Sequence, residues 1–239
     1  VFRGNNATTV EDVTDVTAER SDDRVNVQLI AEGSPNLPFV IAARQLARIA
    51  KVANDNPPRD YGSQRATGLI PGADEVQFNY TQRDAIVKGG SSTTEVRDGV
   101  VNVSDVVTSY APEGEVPPAY RFVCDVVKLQ QVIYNFKLKF QNADWDGAPM
   151  IPDNQPTVNP SAKKPKMWIA AANGILDALG LQAILSDVET AKTKTTCTQD
   201  PTNPKRYNAS VTIQLGGNAN IGDLTLNWGF FFGTPEVVG

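Results

Sequence analysis

The sequence contains no histidine at all. That absence removes the Ser-His-Asp arrangement of hydrolases and the commonest side-chain ligand of transition metals. Cysteine is nearly absent too: Cys124 and Cys197 are the only two, far apart and outside any Cys-x-x-Cys spacing. Such a pair builds neither a disulfide framework nor a zinc cluster and reads as two reduced thiols. No apolar run approaches the roughly 20 residues that span a bilayer, and no basic stretch followed by an apolar one opens the chain. It therefore reads as soluble, with no direct membrane insertion. Positive charge is also in short supply. A formal net charge of −5 excludes a protein whose whole surface grips nucleic acid or an anionic membrane, although a local basic patch remains allowed.

Carboxylates are present, but not in catalytic company. Asp144 and Asp146 in "ADWDG" resemble the start of a calcium loop, yet the further oxygen ligands and the terminal Glu of that pattern are missing, so an Asp-Gly turn is expected and no metal. Nothing in the sequence brings two of Asp22, Asp23, Glu113 and Glu115 into one desolvated cleft, and they read as solvated charges. The glycines of "LGGNAN" lie between two strands, whereas a phosphate cradle hands its glycines to a helix N-terminus. No catalytic residue and no cofactor is expected, and the chain does not read as an enzyme.

What is present is an ordinary globular composition, 41% hydrophobic and 21% charged, sufficient for one substantial core or two small ones. The opening Val-Phe-Arg-Gly has the look of a chain entered midway, and the polar stretch after it reads as exposed turns or a short helix. "RVNVQLIAEG", Arg24 to Gly33, alternates Val25, Val27 and Leu29 with Asn26 and Gln28, which predicts a strand. "LPFVIAARQLARIAKVAN" predicts a helix, with Val40, Ala43, Ala47 and Ala50 on one stripe and Arg44, Arg48 and Lys51 on another; "NDNPPRD" ends it. "TQRDAIVKGG" reads as a short helix started by Thr81 and Asp84 and stopped by Gly89-Gly90. Asp98-Gly99 between Val96 and Val101 to Val103 predicts a β-hairpin.

An acidic, proline-rich loop then leads into a helix with Phe122, Val126, Leu129, Ile133, Phe136 and Phe140 at helical spacing. Lys128, Gln131, Asn135, Lys139 and Asn142 fall on the opposite face, which is either a solvated surface or a docking surface for an acidic partner. Lys137 fits that division badly. "QNADWDGAPMIPDNQPTVNPSAKKPK" reads as a long surface excursion, and Met167 to Leu185 as a helix or kinked pair weakened at Gly174 and Gly180. Two strands close the chain: "ASVTIQL", with Val211, Ile213 and Leu215 on one side, and "LTLNWGFFF", with Leu224, Leu226, Trp228, Phe230 and Phe232 on one side. The last is either covered internally or completed by a strand of a neighbouring subunit.

In their order, "ANDNPPRD", "GLIPG", "FNYTQRDAIVKGGSSTTEV", the Gly99 turn leading to "VVTSY", and "DPTNPKRYNASV" resemble the C-terminal half of the tail sheath protein of Mu-like contractile-tailed bacteriophages. The resemblance runs from about Pro38 to Phe232. It rests on the Asn-Asp-Asn-Pro helix stop, Arg83 inside the short helix, Gly90 to Thr93 before the hairpin, and the Asp200 to Arg206 approach to the final strands. Where that family often has a basic residue before its strand end, this chain has Asp105.

The resemblance implies an α+β protein, with residues 1–62 as the end of an α/β sheath domain and residues 63–239 as a tube-proximal C-terminal domain with a terminal β-hairpin. It implies a catalytically silent subunit that polymerises helically around a tail tube protein, meets baseplate and tail terminator proteins, and contracts to drive the tube into a target cell. It would be part of the virion tail, assembled in the host bacterial cytoplasm, with no direct contact to nucleic acid. Lys128, Gln131, Asn135 and Lys139 would then face the tube, and Leu224, Leu226, Trp228, Phe230 and Phe232 would join the intersubunit sheet. A baseplate or receptor-binding protein of a phage tail or related injection machine is the alternative.

Overall fold

The computed structural model describes residues 1–18, 26–110, 120–203 and 205–219. It is an α+β arrangement that opens with a βαβ unit. Strand β1 (Phe2–Asn5) and strand β2 (Val27–Ile30) pair in parallel, with Phe2 opposite Val27 and Asn5 opposite Ile30. Helix α1 (Val10–Ala18) lies between them in sequence; the Thr9 hydroxyl accepts the Asp12 N–H and caps it.

All four residues of β2 are buried. Val27 and Leu29 pack in one cluster with Ile49 and Val52 of helix α2 (Pro38–Asp55), while Ile30 packs with Val13 of α1. A strand covered on both faces is what a parallel βαβ layer requires, and it corrects the expectation of a polar face at Asn26 and Gln28. Gln28 is buried because its Nε2 donates to the Val13 carbonyl at 3.1 Å. Of the predicted strand, Arg24 and Val25 lie outside the described residues.

Helix α2 has nearly the predicted span but a different inner stripe. Ile41, Ala42, Gln45, Ile49 and Val52 are buried, whereas Ala43, Ala47 and Ala50 are exposed and Val40 is half-buried. The physical reason is area: turning the branched aliphatics inward removes more apolar surface from water than burying three alanines. Pro38 sits at the first helical turn, where its missing N–H costs nothing.

Helix α3 (Tyr80–Lys88) starts one step earlier than predicted. Asn79 is the cap, its side chain accepting the Gln82 N–H while the Gln82 side chain accepts the Asn79 N–H, a complete capping box. Strands β3 (Gln64–Arg65), β4 (Thr94–Arg97) and β5 (Val100–Val103) form an antiparallel sheet in the order β3-β5-β4. The β4–β5 turn is the expected Asp-Gly one: Asp98 at φ 51° and Gly99 at φ 71° both sit in the left-handed region that a two-residue hairpin demands.

Helix α4 (Val123–Phe140) and helix α5 (Pro165–Leu181) pack on each other. Helix α5 runs unbroken through Gly174, and "LQAIL" is divided between its last residue and strand β6 (Leu185–Ser186). Helix α6 (Val188–Thr193) and strand β7 (Thr196–Gln199) follow.

The predicted strand at Ala209 to Leu215 is two pieces. Strand β8 (Tyr207–Ser210) pairs antiparallel with β7, and strand β9 (Gln214–Leu215) pairs antiparallel with β6. Its alternation was nonetheless meaningful, since Val211, Ile213 and Leu215 all pack against the cluster around Val132, Leu176 and Ile184. One core cluster draws on both sides of residue 62, joining Leu29, Ile49 and Tyr61 to Val103, Val106 and Val123.

Candidate interaction surfaces

Helix α4 carries the predicted polar stripe, and the structure divides that stripe. Lys128 is not on a surface: it is 0% exposed. Its Nζ donates to Asp125 Oδ1 at 2.9 Å, to the Gly216 carbonyl at 2.7 Å and to Asn218 Oδ1 at 2.6 Å. Three acceptors match the three protons of an ammonium, so a buried lysine is fully satisfied here. Asn218 in turn donates through Nδ2 to the Pro58 carbonyl at 2.8 Å, so the cluster ties α4, the loop after α2 and the chain beyond β9 together.

The reason is geometric: Cys124, Lys128 and Val132 stand four residues apart on one helical row, and that row is the buried one. Gln131 and Asn135 are half-buried, with Asn135 Nδ2 donating back to the Gln131 carbonyl, and Lys139 alone of the four is exposed. The four therefore do not form one solvent face.

The outward face of α4 is a different row. Ile133, Tyr134 and Leu138 are exposed by 37%, 56% and 56%, and Gln130, Lys137 and Gln141 beside them are exposed as well. Lys137, which fitted the sequence pattern badly, belongs to this row. Phe136 and Phe140 turn inward instead. Phe140 stacks on Trp168 with ring centroids 4.6 Å apart, and Trp145 meets Phe140 edge-on at 5.0 Å.

A groove of about 760 Å³ lies between α3 and the β4–β5 hairpin, rimmed by Arg59, Asp60, Arg83, Glu95, Arg97 and Asp105. Its charges are largely engaged with one another and with the backbone. Glu95 pairs with Arg97 and, at 3.8 Å, with Arg83, and Arg83 also donates to the Phe78 carbonyl at 2.9 Å. Asp60 accepts the Tyr61 N–H at 2.8 Å, and Asp105 accepts the Ser104 hydroxyl at 3.0 Å. The lattice fixes α3 to the hairpin and has the character of a brace. Among the described residues no group of three or more Cys, Asp or Glu side chains is placed to hold a metal, and no helix is long and apolar enough to cross a membrane.

Both thiols are buried. Burial pushes the Cys124 thiol up to about 12, with Asp60 and Asp125 adding to the effect, and burial with Asp153 pushes Cys197 up to about 11. Since the thiolate is the reactive form, neither cysteine of the folded chain is expected to react promptly with DTNB at mildly alkaline pH. Both should react once denaturant is added. Rapid labelling of either thiol in the native protein would contradict this burial.

The predicted intersubunit strand, Leu224, Leu226, Trp228, Phe230 and Phe232, lies outside the described residues, as do Asp22, Asp23, Glu113 and Glu115. Sequence reasoning missed the Lys128 cluster. The one available sign was Asp125 three residues before Lys128, a spacing that lets the two meet on a helix.

No protein-family model matches the sequence, and no curated protein proves similar to it. Solved structures do share its fold. A chain in the cryo-EM structure of the anti-feeding prophage baseplate superposes with a TM-score of 0.59 at 13% identity, covering 87% of this chain and 56% of that one. The sheath tail protein from Desulfitobacterium hafniense superposes with a TM-score of 0.52 at 10% identity, covering 81% of this chain and 46% of its own length. The chain thus spans about half the length of these structural neighbours, and what it has in common with them is the α+β fold.

Proposed function

We propose that this chain is a structural subunit of a contractile injection machine, and specifically a sheath subunit that polymerises helically around an inner tube and contracts to drive it through a target envelope. The observation that carries this reading is the fold shared over 81% of the chain with a sheath tail protein. The segment order that resembles the C-terminal half of Mu-like sheath proteins supports it from the sequence side.

In this reading residues 1–62 end an α/β domain and residues 63–239 form the tube-proximal domain, with a core cluster shared across residue 62. Rigid bodies linked by strand exchange can rotate without losing their connections. The strand from Leu224 to Phe232 is assigned to such an exchange. The tube, the baseplate and the tail terminator are the partners this role requires. The particle, whether a phage tail or a related machine, is the place of action.

The higher TM-score to a chain of a baseplate structure, 0.59 against 0.52, favours a second reading as a baseplate component. Symmetry separates the two, because a sheath makes open helical polymers and a baseplate component makes closed rings. Electron microscopy of the protein expressed with and without its tube protein is expected to show hollow helical sleeves. Closed rings, with no labelling of the tail shaft in native particles, would move the assignment to the baseplate.

A further inference from the structure

We infer that the groove between α3 and the β4–β5 hairpin holds the start of this chain's own C-terminal segment, Asn220 to Asp223, with the Asp223 carboxylate against the Arg59 guanidinium. The inference goes beyond the polymer reading and does not depend on it.

Connectivity selects the occupant. Asn218 and Ala219, where the described chain ends, already line the groove beside Phe122. Asn218 is fixed there, since its Oδ1 accepts from Lys128 at 2.6 Å and its Nδ2 donates to the Pro58 carbonyl at 2.8 Å. Consecutive Cα atoms are about 3.8 Å apart, so the residues after Ala219 start within the groove or at its lip wherever the rest of the chain goes. A tethered segment meets such a site at an effective concentration on the order of millimolar, which a second molecule in dilute solution does not match.

The chemistry of the walls agrees. Tyr80, Arg83 and Val87 stand on one row of α3, and Glu95 and Arg97 stand at alternate positions of β4. Tyr80 is 78% exposed, and Val87 and Phe122 are half-buried, which leaves apolar area open to the Ile221 side chain. Arg83 and Arg97 are both paired with Glu95. Arg59, next to the Pro58 that holds Asn218, is exposed and makes no ion pair and no side-chain hydrogen bond among the described residues. Residues 220–239 contain two carboxylates, Asp223 and Glu236, and no Lys or Arg. Asp223 is the first charge after Ala219, and Gly222 before it lets the backbone turn so that the carboxylate comes back toward Arg59. A root fixed in this way also aims the strand from Leu224 to Phe232, which lowers the ordering cost of pairing it with a neighbour.

The test reads one introduced thiol, because Cys124 and Cys197 are both buried. Ile221→Cys and, as an exposed reference on α2, Ala47→Cys are made in the full chain and labelled with a fluorescent maleimide, and folding of each variant is checked by its melting curve. Ile221→Cys is expected to label at least about tenfold more slowly than Ala47→Cys, and to keep that rate when the protein is diluted about a hundredfold. Adding Arg59→Glu turns an attractive pair into a repulsive one and is expected to speed labelling by about threefold or more. Adding Asp223→Lys to that variant is expected to restore the slow rate.

Labelling of Ile221→Cys as fast as Ala47→Cys at every concentration would overturn the inference, the groove then being open. A slow rate that is lost on dilution would overturn it as well, because a second copy would be covering the segment. So would a slow rate that Arg59→Glu leaves unchanged, which would place the segment away from Arg59. None of these outcomes bears on the polymer reading, since sleeves are not what is measured.

Discussion

Lys128→Ala is expected to destabilise the folded chain by about 3–5 kcal/mol, the range for removing one partner of a buried ion pair. The lysine is fully buried while Asp125 is 33% exposed, so water reaches part of the carboxylate and the lower end of that range is the expected one. The cost arises from what is left behind. The Gly216 carbonyl, Asn218 Oδ1 and Asp125, all half-buried, each lose a charged donor, and an acceptor left without its partner costs more, the less water reaches it, than the made hydrogen bond gains.

Lys128→Met separates charge from volume, because it fills the space without donating. It should remain clearly destabilised, by about 1–3 kcal/mol. Lys139→Ala, at an exposed position of the same helix, should stay within about 0.5 kcal/mol of wild type. Urea unfolding of the three variants measures all of this. A Lys128→Ala midpoint equal to that of Lys139→Ala would show that the ammonium is hydrated in solution and that the cluster is not a lock. The same unfolding curves bear on the end of the chain: since Gly216 and Asn218 are held by Lys128, amide exchange in β9 is expected to speed up in Lys128→Ala more than in β7 or β8.

Lys128 also marks where sequence reading stops. Its placement on a solvent face followed from helical spacing opposite the apolar stripe, and that periodicity does not reveal that two acceptors from one distant segment, the Gly216 carbonyl and Asn218 Oδ1, join Asp125 on the ammonium. Gly216 and Asn218 are about ninety residues away, so the signal is tertiary and no local pattern holds it. By contrast the Asp98-Gly99 turn was legible, because its backbone conformation is one that few residue pairs adopt and Asp-Gly is among them.

The end of α2 at the Asn-Pro-Pro segment was legible for a similar reason, a proline being a local prohibition. Helix α2 shows the intermediate case: its existence was clear, but two candidate stripes competed and side-chain area decided between them. Strand β1 was invisible, since Phe2-Arg3-Gly4-Asn5 has no alternation and is held by its parallel pairing with β2 and by the helix lying on it. The outward row of α4 was hidden for the same reason as Lys128. A helix whose buried row includes a lysine must expose something else, and here it exposes Ile133, Tyr134 and Leu138.

That close seating of α2 on β1 leads to the second large effect. Gly4 lies where a Cβ would overlap the carbonyl oxygen of Pro38 and press on the Ala42 nitrogen. Both are backbone atoms of α2, so no side-chain rotation relieves the overlap, and Gly4→Ala must lift the first turn of the helix off the sheet. Overpacking of this kind costs about 1–3 kcal/mol and more where only backbone can move, which for a chain of this size corresponds to a fall in melting temperature of roughly 2–12 °C.

Gly174 provides the opposite sign. It sits inside α5 with nothing within 4 Å of where its Cβ would be, so Gly174→Ala adds no clash and removes backbone freedom from the unfolded chain, a gain of about 0.5–1 kcal/mol. The pair is best measured in one set of thermal melts. If Gly4→Ala melts with wild type, α2 is not seated on β1 as closely as described, and the βαβ layer loses the contact that makes a two-stranded parallel sheet tenable. If Gly174→Ala melts lower, the outer face of α5 is not open in solution and some further group covers it. A fall for the first and a rise for the second would bear out both the tight seating of α2 on β1 and the open surface beside Gly174 of α5.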